Sequence, residues 1–175
     1  MLRVITSFHR LPFGELMEVY EKSNLEQGSD QWPWETRERQ LALAQQAFYD
    51  YLQGCFFKVR GAAYCLWLVE NQPVSALRYE PYRDGVLITA LETAPKANGK
   101  GYATALLRET LKHLGSQGNT KAYVHIHRGN PASIRVHERC GFLQISQGAR
   151  LLDGSYRSDH HTYAVDLSVS SNITP

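Results

Sequence analysis

The sequence predicts a single α/β domain (α+β in its mix of connections): a mixed sheet of about seven strands, helices on both faces and one parallel strand pair at the centre. Three observations predict it. The hydrophobic period changes between helical spacing and strand alternation repeatedly along the 175 residues. The strand–helix–strand crossover over Val86–His127 is expected to be right-handed, which makes its two strands parallel. Turn signals at Asn71-Gln72-Pro73, Arg83-Asp84-Gly85 and Asp153-Gly154 join other strands as antiparallel neighbours.

The elements follow in order. Leu2–Phe8 alternates weakly and reads as a first strand. Phe13, Leu16, Met17 and Tyr20 recur at helical spacing over Pro12–Ser23. Gln27–Thr36 reads as a polar loop carrying Trp32-Pro33-Trp34, and Glu35–Tyr51 as a second helix with Leu41, Ala44, Phe48 and Tyr51 on its apolar face. Ala63–Glu70, Val74–Tyr82 and Val86–Thr93 form a three-strand meander that Pro95 ends. Gly101–Gly115 is a helix turning Leu106, Leu107, Leu111 and Leu114 to the core, and Lys121–His127 is the strand after it. Asn130 caps a short helix with Pro131 at its first position, and Gly141 closes it. Leu143–Leu152 and Tyr156–Leu167 make a last hairpin, so the domain spans 1–167 and Ser168–Pro175 is a flexible tail.

Composition narrows the function classes. Apolar residues make up 43%, enough for a sizeable core. Lys and Arg number 19 against 17 Asp and Glu, a net charge of +2, which argues against nucleic acid or an anionic membrane as the main partner. The longest apolar run, Gly61–Val69, is about half of the roughly 18 residues a spanning helix needs. The segment MLRVITSFHR lacks the apolar stretch of a secretory signal. Cys55, Cys65 and Cys140 are odd in number and widely spaced, so they read as buried free thiols in a reducing compartment. A cytoplasmic location is the expectation.

Chemistry concentrates in Leu91–Ala105, LETAPKANGKGYATA. A strand ends, a turn with Gly99 and Gly101 follows, and a helix begins. The first N–H groups of a helix lack internal partners and carry the positive end of its dipole, and glycine lets an anion approach the backbone. Lys96 and Lys100 add positive charge. A Walker A loop would require Gly at Ala94 and Ser or Thr at Gly101; a dinucleotide fingerprint would require a third glycine at Thr104. Both fail.

A third pattern fits. Asn98-Gly99-Lys100-Gly101-Tyr102-Ala103, followed by Leu106-Leu107, resembles the acyl-CoA loop of the GNAT N-acetyltransferase superfamily. That loop runs Arg or Gln, two residues, Gly, one residue, then Gly or Ala. Asn98 departs from its first position, which touches one side-chain contact to the phosphates and leaves the backbone contacts as they are. Asn130-Pro131-Ala132-Ser133-Ile134-Arg135-Val136-His137, ending in Gly141-Phe142, is similar to the family's second cofactor segment. Asn130 and His137 are about two helical turns apart, so both can face one ligand.

The resemblance implies a GNAT fold and an N-acetyltransferase that moves an acetyl group from acetyl-CoA to an amine by direct attack in a ternary complex. It implies that the two parallel strands splay and that pantetheine adds to the freed backbone like an extra strand. The residues implied at acetyl-CoA are Leu91, Glu92, Thr93, Asn98, Gly99, Lys100, Gly101, Tyr102, Ala103, Thr104, Asn130, Ser133 and His137. His137 stands where the family often has a Tyr that protonates the departing thiolate, so it is read either as a substituted general acid or as a polar residue packed near the cofactor. Glu92, a carboxylate in an apolar strand, is read as a base for the acceptor ammonium or as a strand-end charge; alternation puts it opposite Leu91 and Thr93. His125 matches a base in some family members and is the alternative to Glu92; no metal site is expected with His127. Trp32-Pro33-Trp34 is read as a wall of the acceptor site or as a loop anchor. The expected partners are acetyl-CoA and a small amine or peptide acceptor, with no nucleic acid and no membrane, and oligomeric state, homodimer included, left open. The rival reading is a non-catalytic acyl-CoA-binding or sensing module.

Overall fold

In a computed structural model of the chain, the described residues are 1–168, so the expected tail lies outside them apart from Ser168. The strands are β1 (Leu2–Ile5), β2 (Ala63–Val69), β3 (Gln72–Tyr82), β4 (Gly85–Thr93), β5 (Lys121–His127), β6 (Leu143–Ser146), β7 (Ala149–Arg150), β8 (Tyr156–Arg157) and β9 (His160–Asp166). The helices are α1 (Phe13–Val19), α2 (Glu21–Gln31), α3 (Arg37–Gly54), α4 (Tyr102–Ser116) and α5 (Pro131–Glu138). Seven strands form one sheet in the order β1-β2-β3-β4-β5-β9-β6. Among the described residues only β4 and β5 are parallel; the crossover through α4 makes them so.

The sheet separates two cores, as alternation along a strand requires. On one face Cys65, Leu77, Val86, Ile88, Val124 and Ile126 pack on Leu106, Leu107, Leu111 and Leu114 of α4 and on Phe142 beyond α5. On the other, Tyr64, Leu66 and Ala76 pack on Leu16 and Met17 of α1, on Tyr20 just after it and on Leu52 of α3. No helix among the described residues is long and apolar enough to cross a membrane.

Three local expectations change. The segment read as a loop from Gln27 continues as α2 to Gln31, after a break at Tyr20 splits the first predicted helix. Helix-favouring Glu, Lys and Gln build α2 without a broad apolar stripe; only Asn24 and Gly28 of it are buried. Gly28 marks a close helix crossing rather than a turn, because a Cβ there would lie 2.6 Å from the Gln40 carbonyl oxygen on α3. The long closing hairpin also breaks. Gly148, at φ 140°, divides its first arm into β6, which pairs with β9, and β7, which pairs with β8 around Asp153-Gly154. Cys65 is buried, but Cys55 is exposed and Cys140 half-buried; all three are free thiols.

Candidate active site

The site begins with a fault in β4. Arg78 faces Thr89 and Ala76 faces Glu92 across the β3–β4 ladder, so β4 carries one residue more than β3 between those pairs. Ala90 takes up the extra length at φ 52°, a left-handed conformation that costs a non-glycine residue about 1–3 kcal/mol. The bulge resets the alternation. Thr89 meets the Arg78 side chain and Ala90 packs in the α1–α3 core, while Leu91 packs in the α4–α5 core. Tyr20 holds the bulge, its hydroxyl donating to the Ala90 carbonyl at 2.8 Å and accepting from Tyr64 at 3.0 Å.

At this fault the parallel pair opens. β4 and β5 pair at Val86–Ala122, Leu87–Tyr123 and Ile88–Val124 and no further, although both strands continue. A cavity of about 270 Å³ fills the fork, lined by Thr89, Ala90, Leu91, His125, Asn130, Ser133 and His137 among others. It is flanked by a cleft of about 550 Å³ that runs along Leu91, Glu92 and Thr93 to Asn98, Gly99, Gly101, Tyr102, Ala103 and Thr104, with Asn130 and Ser133 on the opposite wall. The structure thus brings eleven of the sequence-predicted acetyl-CoA residues onto one cleft. His137 sits in the adjoining fork, and Lys100 is exposed on the loop and absent from the lining.

Gly99 and Gly101 take φ +76° and +80°, so only glycine enters these turns without strain. Gly101 is the N-cap of α4 and offers no side chain to its first turn. Among the described residues, the N–H groups of Gly99 through Thr104 have no protein acceptor. Lys96 does not add its charge here: its Nζ lies 2.8 Å from Glu18 Oε2. Two cations that sequence reasoning passed over, Lys22 and Arg139, do line the cleft. Asn130 caps α5, its side chain accepting from the Ser133 N–H at 3.1 Å.

His137 is 1% exposed, with its ring edge-on to Phe142 at 5.2 Å. Its Nδ1–H donates to the Ser133 carbonyl at 2.8 Å, so the neutral ring carries no proton on Nε2, which is buried without a partner. Burial holds its pKa below the ordinary histidine value. His125 is also depressed by burial; its Nδ1 lies 3.1 Å from Thr162 Oγ1 and its ring meets Tyr82 edge-on. Glu92 moves the other way, its carboxyl pKa raised by burial. It lines both the cleft and a further cavity of about 350 Å³ on the α2–α3 side, together with Tyr20, Phe48, Tyr51 and Arg78. Those aromatics, rather than Trp32 and Trp34, wall that cavity; Trp34 is 76% exposed.

Sequence reasoning passed over Arg78 too. Its signal is a positive charge at the strand position between Leu77 and Tyr79, in a run otherwise written for burial.

The comparisons agree with this geometry. Over 95% of this chain and 99% of the other, the fold matches the PaiA N-acetyltransferase of Thermoplasma acidophilum in complex with coenzyme A, at 12% identity and a TM-score of 0.64. The ribosomal-protein-S18-alanine N-acetyltransferase of Escherichia coli matches over 100% and 99% of the two chains, at 17% identity and TM-score 0.60. The spermidine N-acetyltransferase of Vibrio cholerae in complex with CoA and spermine matches over 95% and 96%, at 16% identity and TM-score 0.60. Comparison with curated protein sequences finds no significant match. Residues 16–142 match the acetyltransferase (GNAT) family, and with the forked β4–β5 pair and the glycine loop in place the chain belongs to that family of acetyl-CoA-dependent N-acetyltransferases.

Proposed function

We propose that this chain transfers an acetyl group from acetyl-CoA to an amine within a ternary complex, with the donor lying in the cleft from the β4 bulge to the start of α4. One observation carries the reading: six successive backbone N–H groups without acceptors, Gly99 to Thr104, end a cleft that starts where β4 and β5 part. Unpaired amides at a helix N-terminus fit a diphosphate, and the fork fits an amide-bearing pantetheine arm.

In this reading the amine nitrogen attacks the thioester carbonyl, an N–C bond forms, the C–S bond breaks and the sulfur leaves as thiolate. A backbone N–H at the Ala90–Leu91 bulge stabilises the oxyanion. Glu92 takes the amine proton, because it touches both the donor cleft and the cavity across the sheet, and its raised pKa strengthens it as a base. His125 faces the fork alone and is the second choice. His137 gives a proton to the thiolate only as imidazolium, from Nε2; the neutral ring offers Nε2 as an acceptor. The free thiols, two of them fully or partly buried, support a reducing, cytoplasmic location. The test is free-thiol release from acetyl-CoA across a panel of amines. Amine-dependent release is the expected result. Tight acetyl-CoA binding with no release for any amine supports the binding-module reading instead.

A further inference from the structure

Arg78 stands on β3 at the wall of the 350 Å³ cavity, on the sheet face away from α4. Its guanidinium lies 5.0 Å from the Tyr51 ring centre and 5.6 Å from those of Phe48 and Phe56. Nε donates to Thr89 Oγ1 at 3.3 Å, while Nη1 is buried with no partner. Among the described residues Arg78 makes no ion pair. The phenols of Tyr64, Tyr20 and Tyr51 stand around the guanidinium, and two carboxylates act on it from further off, Glu80 on the same strand and Glu92 on the neighbouring one, the pKa of both raised by burial. Ring faces recover part of the cost of a buried cation, and a carboxylate, planar and of opposite charge, is the partner that matches its remaining donors best.

The cavity also reaches the chemistry. Glu92 is a wall of both this cavity and the donor cleft, and Ala90 is a wall of both this cavity and the fork. Ala76 faces Glu92 and Arg78 faces Thr89, so the two charged positions are diagonal neighbours on adjacent strands, about 8 Å apart. That spacing suits an amine and an anion joined by a few bonds.

We propose that the acceptor is an amine that also carries a carboxylate, an amino acid or the like, with its carboxylate on Arg78 and its amine presented to Glu92 beside the bulge. This rests on the acetyl-transfer reading above. The Phe48 and Tyr51 rings beside the guanidinium restrict where it can sit, and so where a bound carboxylate lies. A simple amine leaves the cation without its partner and binds poorly for that reason.

The test compares free α- and ω-amino acids with their primary amides and with the decarboxylated amines. It reads thiol release from acetyl-CoA and, separately, the shift of melting temperature in the presence of CoA. The expected result is turnover of acids with kcat/KM about a hundredfold above that of their amides. Arg78→Met is expected to raise the acceptor KM about tenfold or more with acetyl-CoA affinity unchanged, and Arg78→Lys to recover part of the loss. Unchanged acetyl-CoA affinity shows the variants folded; if Arg78→Met unfolds, the acid–amide comparison and Arg78→Lys decide. Equal turnover of acids, amides and simple amines overturns the proposal and leaves acetyl transfer standing. Arg78-dependent stabilisation by acids with no thiol release upholds the carboxylate site and removes acetyl transfer. No response to any carboxylated amine in either readout overturns the proposal.

Discussion

Burial moves the proton affinities of the fork and of its flanking cleft in opposite directions: His125 and His137 downward, Glu92 upward. For activity, the carboxylate of Glu92 is lost as pH falls through a value above the ordinary 4.5. The acid limb of kcat is therefore expected above that value, and Glu92→Gln is expected to remove it and lower kcat about a hundredfold. An unchanged limb in the variant, read from the pH–rate profile, takes Glu92 out of the role of base. His137 couples instead to stability. The unfolded chain protonates it near pH ~6.5, the native state only lower, so between those values the unfolded state holds more protons and stability falls as pH drops. Urea unfolding at pH 7.5 and 6 measures this: His137→Leu is expected to show a smaller difference in midpoint than the unaltered chain, and an equal difference contradicts it. Little of this was legible in the sequence. The spacing of Asn130 and His137 put them near one ligand, but the Ser133 carbonyl that fixes the tautomer of His137 is a helix-backbone detail with no signature in residue type.

At the scale of elements, β4 and the loop after it do most of the positioning. The Tyr20 hydroxyl ties the α1–α2 junction to the bulge carbonyl, so Tyr20→Phe is expected to cost about 1 kcal/mol in chemical denaturation and to lower kcat more than it raises the acetyl-CoA KM. An unchanged kcat would show that the bulge holds its shape without Tyr20. Gly28→Ala on α2 is a sharper case. Helix propensity alone favours Ala by about 1 kcal/mol, yet the added Cβ would stand 2.6 Å from the Gln40 carbonyl oxygen, so the melting temperature is expected to fall. A rise would mean that α2 and α3 part at little cost. Elements with a strong period were legible: the meander, α4 and β5 stand about where alternation and leucine spacing put them. α2 was not, because its helix rests on propensity and on one close crossing at Gly28 rather than on an apolar stripe. The break at Gly148 was not legible either, since strand residues continue on both sides of it.

Across the whole molecule, a sheet with a core on each face is parted along one line, and the parting gives access from both sides. The cleft proposed for the donor opens on the α4–α5 side and the Arg78 cavity on the α2–α3 side, with Glu92 common to both. The glycine loop and the Asn-led helix are contiguous motifs, so the sequence exposed the donor side. The cavity proposed for the acceptor is assembled from Tyr20, Phe48, Arg78 and Glu92, which lie far apart in the chain and carry no common pattern, so only the fold brings them together. Calorimetric titration of acetyl-CoA into the unaltered chain and into Gly101→Val asks whether the amides at the start of α4 hold the donor. The valine puts a β-branched residue at φ +80° and disturbs the unpaired amides at the start of α4. One-to-one binding is expected for the unaltered chain and about tenfold or weaker affinity, some 1.4 kcal/mol, for a folded variant. Equal affinity in both, or no binding to the unaltered chain, contradicts the account.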